Sequence, residues 1–206
     1  MKYPTLLTGL LLVTHLSAVQ ADCGANFDAR SVPEISVDAS APFVAHTIHF
    51  KVNIPAKEFT AKLQAAPLEN LLPGTSKLPG VAATHILQNG PFGKIGSRRL
   101  ICLRDGNTAV EEVISAVAEK SFKYKVWNYS LFQARPIEYA VGEFIATPID
   151  NTSADITWTY AFKLRDNRFP GYLGGIGRWL FAKNFVDSDY AEFMNISGQT
   201  MTRYWQ

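Results

Sequence analysis

Between residues 46 and 54 the chain alternates. His46, Ile48, Phe50, Val52 and Ile54 fall on one side, and Thr47, His49, Lys51 and Asn53 on the other. That period of two predicts a half-buried strand. Pro55 ends it and can open a helix. Phe59, Leu63, Leu68, Leu71 and Leu72 then recur at mostly helical spacing, interrupted by Pro67, which predicts two short helices across 56–72 rather than one. Pro73-Gly74 and Pro79-Gly80 frame a loop. Six further strands are predicted at 81–88, 97–104, 108–116, 121–130, 137–148 and 154–165, parted by turn signals at Asn89-Gly90-Pro91, Asp105-Gly106, Glu119-Lys120, Ala134-Arg135-Pro136 and Asp150-Asn151. From Val186 the period changes. Val186, Tyr190, Phe193, Ser197, Met201 and Tyr204 step by three and four, a helical stripe. Trp179 and Leu180 point to an earlier start, with a break near Asp187-Ser188-Asp189.

Asp105-Gly106 is the firmest of the turns, because a two-residue hairpin loop needs positive φ at both positions. Read so, Arg104 faces Asn107, and counting back sets Ile101 opposite Val110 and Arg99 opposite Glu112. Arg99, Ile101, Leu103, Val110, Glu112 and Ile114 then share a face. On the next strand Phe122, Tyr124, Val126 and Asn128 oppose Lys123 and Lys125, and on the last Ile156, Trp158, Tyr160, Phe162 and Leu164 oppose Asp155, Thr157, Thr159 and Lys163. The sheet is expected to have one strongly apolar, aromatic face and one mixed face. Aromatic residues make up 12% of the chain, and rings in that number build thick cores or line cavities.

The first residues change the boundaries. Met1-Lys2, the apolar run from Leu6 to Leu16 and the small residues Val19 and Ala21 read as a cleavable leader, residues 1–21, with cleavage after Ala21. The run falls short of the ~20 apolar residues of a membrane span. Gln20 and Asp22 before Cys23 do not suit a lipoprotein signal. Residues 22–45, rich in Ala, Ser, Pro and Asp, read as an extended arm, and residues 46–206 as one domain. The protein is expected to be secreted or periplasmic. Cys23 and Cys102 are the two cysteines, and an oxidising compartment makes them a candidate disulfide, with two free thiols as the alternative. A formal net charge of +2 with no one-signed run gives no support to nucleic-acid binding.

No catalytic signature stands out. His46 and His49 face opposite sides of a strand, His85 is alone in sequence, and no nucleophile elbow, metal-binding helix motif or nucleotide loop is present. No metal or cofactor is expected. Asn128, Asn151 and Asn195 begin Asn-x-Ser sequons, of use only in a glycosylating host. One strand, two short helices, six antiparallel strands and a long terminal helix is the element order of the helix-grip fold. Local motifs add to it: Gly96-Ser97-Arg98-Arg99, Val110-Glu111-Glu112-Val113, Tyr124-Lys125-Val126-Trp127-Asn128, Arg135-Pro136-Ile137-Glu138-Tyr139 with Gly142-Glu143-Phe144, and Thr157-Trp158-Thr159-Tyr160. With these the chain resembles the START/Bet v 1-like (SRPBCC) superfamily, and within it the polyketide cyclase/dehydrase-like branch.

The resemblance implies an α+β fold, a curved seven-stranded antiparallel sheet with two short helices and a long C-terminal helix enclosing a cavity. It implies binding of a hydrophobic small molecule such as a lipid, sterol or polyketide-like aromatic. A cyclase or dehydratase and a non-catalytic assembly partner stand as alternatives, since such a fold hosts all three. Arg99, Glu112, Tyr124, Asn128, Tyr139, Trp158 and Tyr160 are the candidate ligand contacts, and Glu112, Glu143, Arg99 and Tyr124 the candidates for moving protons. An Arg99–Glu112 pair near an open sheet end is equally a purely structural one. Periodicity does not decide whether Glu138 or Glu143 looks inward. The glycine-rich stretch 171–177 reads as a flexible connection. Its neighbours Phe169, Tyr172, Leu173 and Trp179 suggest a transient membrane contact near Tyr172 and Trp179.

Overall fold

Residues 23–24, 27–88 and 90–206 are described by a computed structural model of the chain. The expected leader and Asn89 of the predicted 89–91 turn lie outside the described residues. Seven strands, β1 (Val44–Val52), β2 (Val81–Gln88), β3 (Arg98–Leu103), β4 (Thr108–Val117), β5 (Ser121–Trp127), β6 (Ile137–Pro148) and β7 (Ala154–Leu164), form one antiparallel sheet in the order β1-β7-β6-β5-β4-β3-β2. Helices α1 (Ala56–Ala65) and α2 (Leu68–Leu71) separate β1 from β2 and carry the chain from one edge of the sheet to the other. Pro67 caps α2 from outside, in extended conformation, so the predicted interruption is the junction between two helices.

The closing helix runs as α3 (Gly174–Phe181), a π-helical segment (Ala182–Tyr190) and α4 (Ala191–Tyr204). The expected break at 187–189 is instead a stretch of wider winding within one continuous helix. It crosses the concave face, where Ile48, Phe144, Ile156, Trp158 and Phe162 meet Val186, Met194 and Met201 in the main core. Two small residues set how close the helix comes. A Cβ on Gly198 would stand 2.9 Å from Ile48 Cδ1, and its neighbour Ser197 is fully buried. In place of Tyr204, which is largely exposed, Trp205 ends the stripe by packing edge-on to Phe59 at 5.5 Å.

The convex face holds a second core that periodicity does not reveal. Leu100, Cys102, Val110, Trp127, Tyr139 and Val141 are buried there, and the arm lies over them with Val32 buried and Phe27, Ile35, Val37 and Phe43 half-buried. The arm carries one short 3-10 turn, Ala29–Ser31, and is tied down at each step. Trp127 Nε1 donates to the Pro33 carbonyl at 2.8 Å, Lys125 Nζ to the Ile35 carbonyl at 2.7 Å, and the Asp38 amide to the Tyr139 hydroxyl at 3.1 Å. Phe43 meets the Tyr139 ring edge-on at 5.9 Å. Cys23 is bonded to Cys102, their Cα atoms 6.1 Å apart, which fixes the start of the arm to β3.

One predicted register is wrong by a residue. Leu103, not Arg104, is the last paired residue: its amide bonds the Asn107 carbonyl at 2.8 Å, and the Gly106 amide bonds the Leu103 carbonyl at 3.0 Å. The loop therefore has three residues, with Gly106 at φ +83°, the type I turn with a left-handed third residue rather than the two-residue form. The Arg104 amide is drawn to the Gly80 carbonyl at 2.9 Å instead. Arg99 consequently pairs with Glu111 and Arg98 with Glu112. A slip of one residue exchanges the faces of a strand.

Candidate ligand-binding site

The cavity lies between the concave face of the sheet and the closing helix, with α1, α2 and Phe92 of the β2–β3 connection forming its remaining wall. It holds ≈ 150 Å³ and is partly open to solvent. The sheet contributes alternate residues of successive strands: Arg99 and Ile101 from β3, Ala109 and Glu111 from β4, Phe122, Tyr124 and Val126 from β5, Phe144 from β6, Trp158 and Tyr160 from β7. Tyr190, Phe193 and Met201 come from the helix. Gly142 sits among these strands because a Cβ there would overlap the Tyr124 ring. Without that glycine Tyr124 would be pushed into the cavity.

Apart from Gln64 of α1, the polar groups are few and fall into two sets. Arg99 Nε donates to Glu111 Oε2 at 2.5 Å, with the two side chains 8% and 4% exposed, and the guanidinium lies 3.8 Å from the centre of the Phe92 ring. Stacking on an aromatic face suits a weakly hydrated guanidinium in a dry setting. The second set is phenolic. Trp158 Nε1 donates to the Tyr124 hydroxyl at 3.2 Å, the Tyr129 and Tyr160 hydroxyls are 3.3 Å apart, and the Tyr160 and Tyr190 rings are 5.0 Å apart. Burial pushes all four phenols, those of Tyr124, Tyr129, Tyr160 and Tyr190, well above the ordinary tyrosine range, with the Glu111 charge adding to the effect at Tyr124.

A measurable consequence is a change in alkaline stability. These phenols keep their protons in the folded protein at a pH where the unfolded chain has begun to lose them. The folded state thus binds more protons, and stability falls as pH rises beyond about 10. Absorbance at 295 nm during a pH jump should show these four tyrosines ionising together with unfolding. Ionisation of all of them within the dead time, with native circular dichroism retained, would contradict their burial.

Of the expected site residues, Arg99, Tyr124, Trp158 and Tyr160 line the cavity. The others do not. Glu112 is on the convex face, paired with Arg98 and with Lys125 at 3.3 Å, because of the one-residue register difference described above. Tyr139 is also convex, under the arm, where an irregularity between Ile137 and Tyr139 shifts the phase of β6. Asn128 ends β5 at φ +54°, outside the cavity lining. Neither candidate carboxylate of β6 looks inward: Glu143 pairs with Lys123 at 3.6 Å and Glu138 with Lys163 at 3.6 Å. The carboxylate that does reach the cavity is Glu111, which the corrected hairpin register would have identified.

A second group was invisible in sequence. His85, alone in the primary structure, has a ring nitrogen that comes together with the sulfurs of Cys23 and Cys102, all within 4.8 Å of one another. Pairing of Ala83 with Cys102 in the β2–β3 ladder places it there. The two sulfurs are bonded to each other, so the group is a disulfide with an imidazole beside it.

No family model and no curated protein sequence matches the chain. Solved structures do. Major latex-like protein 151 from Panax ginseng aligns with a TM-score of 0.54 at 15% identity, covering 80% of this chain and 98% of that one. The protein XoxI from Bacillus cereus aligns at 0.52 and 12% identity, covering 78% and 94%. The fold is the helix-grip fold of Bet v 1-like proteins. A norcoclaurine synthase from Thalictrum, solved as a point mutant in complex with a transition-state analogue, has the same helix-grip architecture, with a TM-score of 0.51 at 14% identity over 79% of this chain and 97% of that one. The sequence distances are those at which architecture is shared and chemistry is not thereby fixed.

Proposed function

We propose that this helix-grip protein is an exported carrier or sensor that holds a hydrophobic small molecule with a polar end in the cavity between the sheet and the closing helix. The observation that carries this reading is the distribution of polarity: rings and aliphatic side chains around most of the wall, and one buried Arg99–Glu111 pair as its charged feature. Apolar area supplies affinity in such a site, and a few placed polar groups fix orientation. Arg99 has donors beyond the one spent on Glu111, so a carbonyl or carboxylate on the ligand is the natural complement. At ≈ 150 Å³ the space in this conformation suits a single ring or a short acyl chain. An apolar cavity of about that size accepts benzene. A sterol or a full-length lipid would require the helix to move outward.

Export is supported by the leader-like residues 1–21 and by the Cys23–Cys102 bond, which suits an oxidising compartment. The polyketide cyclase/dehydrase-like assignment rests on the motifs of β3 to β7. An enzyme is the second reading, and what favours it is that Glu111 and the Tyr124 hydroxyl both face the same cavity. Against it, Glu111 is already held by Arg99, and the other candidate carboxylates lie outside.

The test is native mass spectrometry of protein purified from its own host, together with displacement of an apolar fluorescent probe. Ala109→Leu fills the cavity from β4, where Ala109 is buried and lines it. The variant is expected to lower probe affinity at least ~10-fold while melting within a few degrees of wild type, since added apolar volume occupies existing space. If no ligand co-purifies and no probe is taken up, the carrier reading fails. Turnover of a co-purified molecule would establish the enzyme in its place.

A further inference from the structure

The segment joining β7 to the closing helix presents its large apolar side chains to solvent. Phe169, Tyr172, Leu173, Ile176 and Trp179 are 39–69% exposed. This is not a frayed loop. Pro170, Gly171 and Gly177 beneath it are buried, the Tyr172 amide bonds the Arg168 carbonyl at 3.1 Å, and the Leu173 amide bonds the Pro170 carbonyl at 3.0 Å. Gly177 lies against the Pro170 carbonyl so closely that a Cβ would overlap it. The backbone is thus a seated platform from which the five side chains project. A soluble surface does not ordinarily gather so many large apolar groups in eleven residues without a partner.

The charge around the platform says which partner. Asp166 is engaged by Lys163 at 2.9 Å and Asp187 by Lys183 at 3.4 Å. Arg165, Arg168 and Arg178 make no ion pair among the described residues. The acids near the platform are neutralised locally, and the arginines are left uncommitted. Two copies meeting through this patch about a two-fold axis would bring arginine towards arginine, which like-charge repulsion disfavours. Tyr and Trp at the level of the headgroups, aliphatic side chains below them and Arg at the rim match the layering of a bilayer surface instead.

We propose that residues 165–179 form a docking surface for a lipid bilayer carrying anionic headgroups. The platform inserts Ile176, Leu173 and the rings of Phe169, Tyr172 and Trp179 to interfacial depth, and Arg168 and Arg178 engage the phosphates. This surface is independent of what the cavity holds, so its failure and the failure of the carrier reading are separate outcomes.

Tryptophan fluorescence reads the event directly. The chain has four tryptophans, of which Trp127, Trp158 and Trp205 are already buried and Trp179 is exposed, so a blue shift on adding vesicles reports Trp179. The full-length mature protein should float with phosphatidylcholine vesicles containing phosphatidylglycerol, with a blue-shifted emission, and bind pure phosphatidylcholine more weakly. Tyr172→Ser/Ile176→Ser, which keeps Trp179 as reporter, should lower the partition coefficient at least ~10-fold. Arg168→Ser/Arg178→Ser should bring the preference for anionic over neutral vesicles close to unity and remove its salt dependence. Circular dichroism and melting temperature near wild type exclude misfolding, because all four positions are at least partly exposed. The proposal is overturned if the wild-type protein floats with neither vesicle type or if Tyr172→Ser/Ile176→Ser binds as well as wild type. It is also overturned if sedimentation velocity shows a dimer that this variant abolishes, which would make the patch a self-association surface.

Discussion

Glu111→Ala is expected to destabilise the fold by about 3–5 kcal/mol, the usual cost of removing one partner from a desolvated ion pair. The reason is geometric. With the two side chains only 8% and 4% exposed, the Arg99 guanidinium would be left stacked on Phe92 in a wall of rings without its carboxylate partner. Arg99→Leu/Glu111→Leu should recover most of that loss, since two apolar side chains of similar length replace two charges that both had to be desolvated. Urea unfolding of the wild type, both single variants and the double variant gives the coupling energy directly. The recovered protein should still have lost at least ~10-fold affinity for a ligand carrying a carbonyl or carboxylate, while keeping its uptake of a purely apolar probe. If Glu111→Ala costs less than about 1 kcal/mol, water reaches the pair and it is not the dry anchor described above.

The second large effect concerns the opposite face. Cys23→Ala/Cys102→Ala should lower stability by about 4 kcal/mol, because the bond closes a loop whose ends are 79 residues apart in sequence. More than chain entropy is at stake. Freeing the start of the arm loosens the cover over Leu100, Val110 and Trp127, so the variant should also show a red-shifted Trp127 emission and rapid proteolysis within residues 27–43. Reduction of the wild type by dithiothreitol should reproduce both changes. An unchanged unfolding midpoint after complete reduction would show that the arm holds itself in place through its hydrogen bonds to Trp127, Lys125 and Tyr139.

Much of the fold is legible in the sequence because turns and period report on it locally. The strands from 81–88 to 154–165 end within a few residues of where they are predicted, and the inward set of β7 is read correctly from simple alternation. What periodicity misses is whatever depends on the third dimension. The 104–106 loop differs by one residue from the predicted form, since an Asp-Gly pair serves both loop lengths, and the Arg104 amide is recruited by Gly80 just before the start of the neighbouring strand β2. That single residue moved Glu112 out of the site and Glu111 into it. Tyr139 went astray at an irregularity in β6 that pairing alone discloses. The convex core was hidden because Val32, Ile35 and Val37 lie in a stretch with no regular period. They pack as a strap over the convex face, tied to β5 through Trp127 and Lys125 and to β6 through Tyr139.

The wider winding of Ala182–Tyr190 bears on how this helix tolerates change in length. Along the closing helix the inward positions run Gly177, Phe181, Val186 and then Tyr190, Met194, Ser197 and Met201. The single step of five runs from Phe181 into that segment. An α-helix turns about 100° per residue, so the extra residue brings the second half back into phase with the first. Losing one residue there would produce a more regular helix and a worse protein. The ordinary α-helix that resulted would rotate Met194, Ser197 and Met201 away from the sheet while Phe181 stayed in place. In this element an indel and a substitution are therefore not comparable lesions: the exposed side chains between Phe181 and Val186 are replaceable, but their number is not.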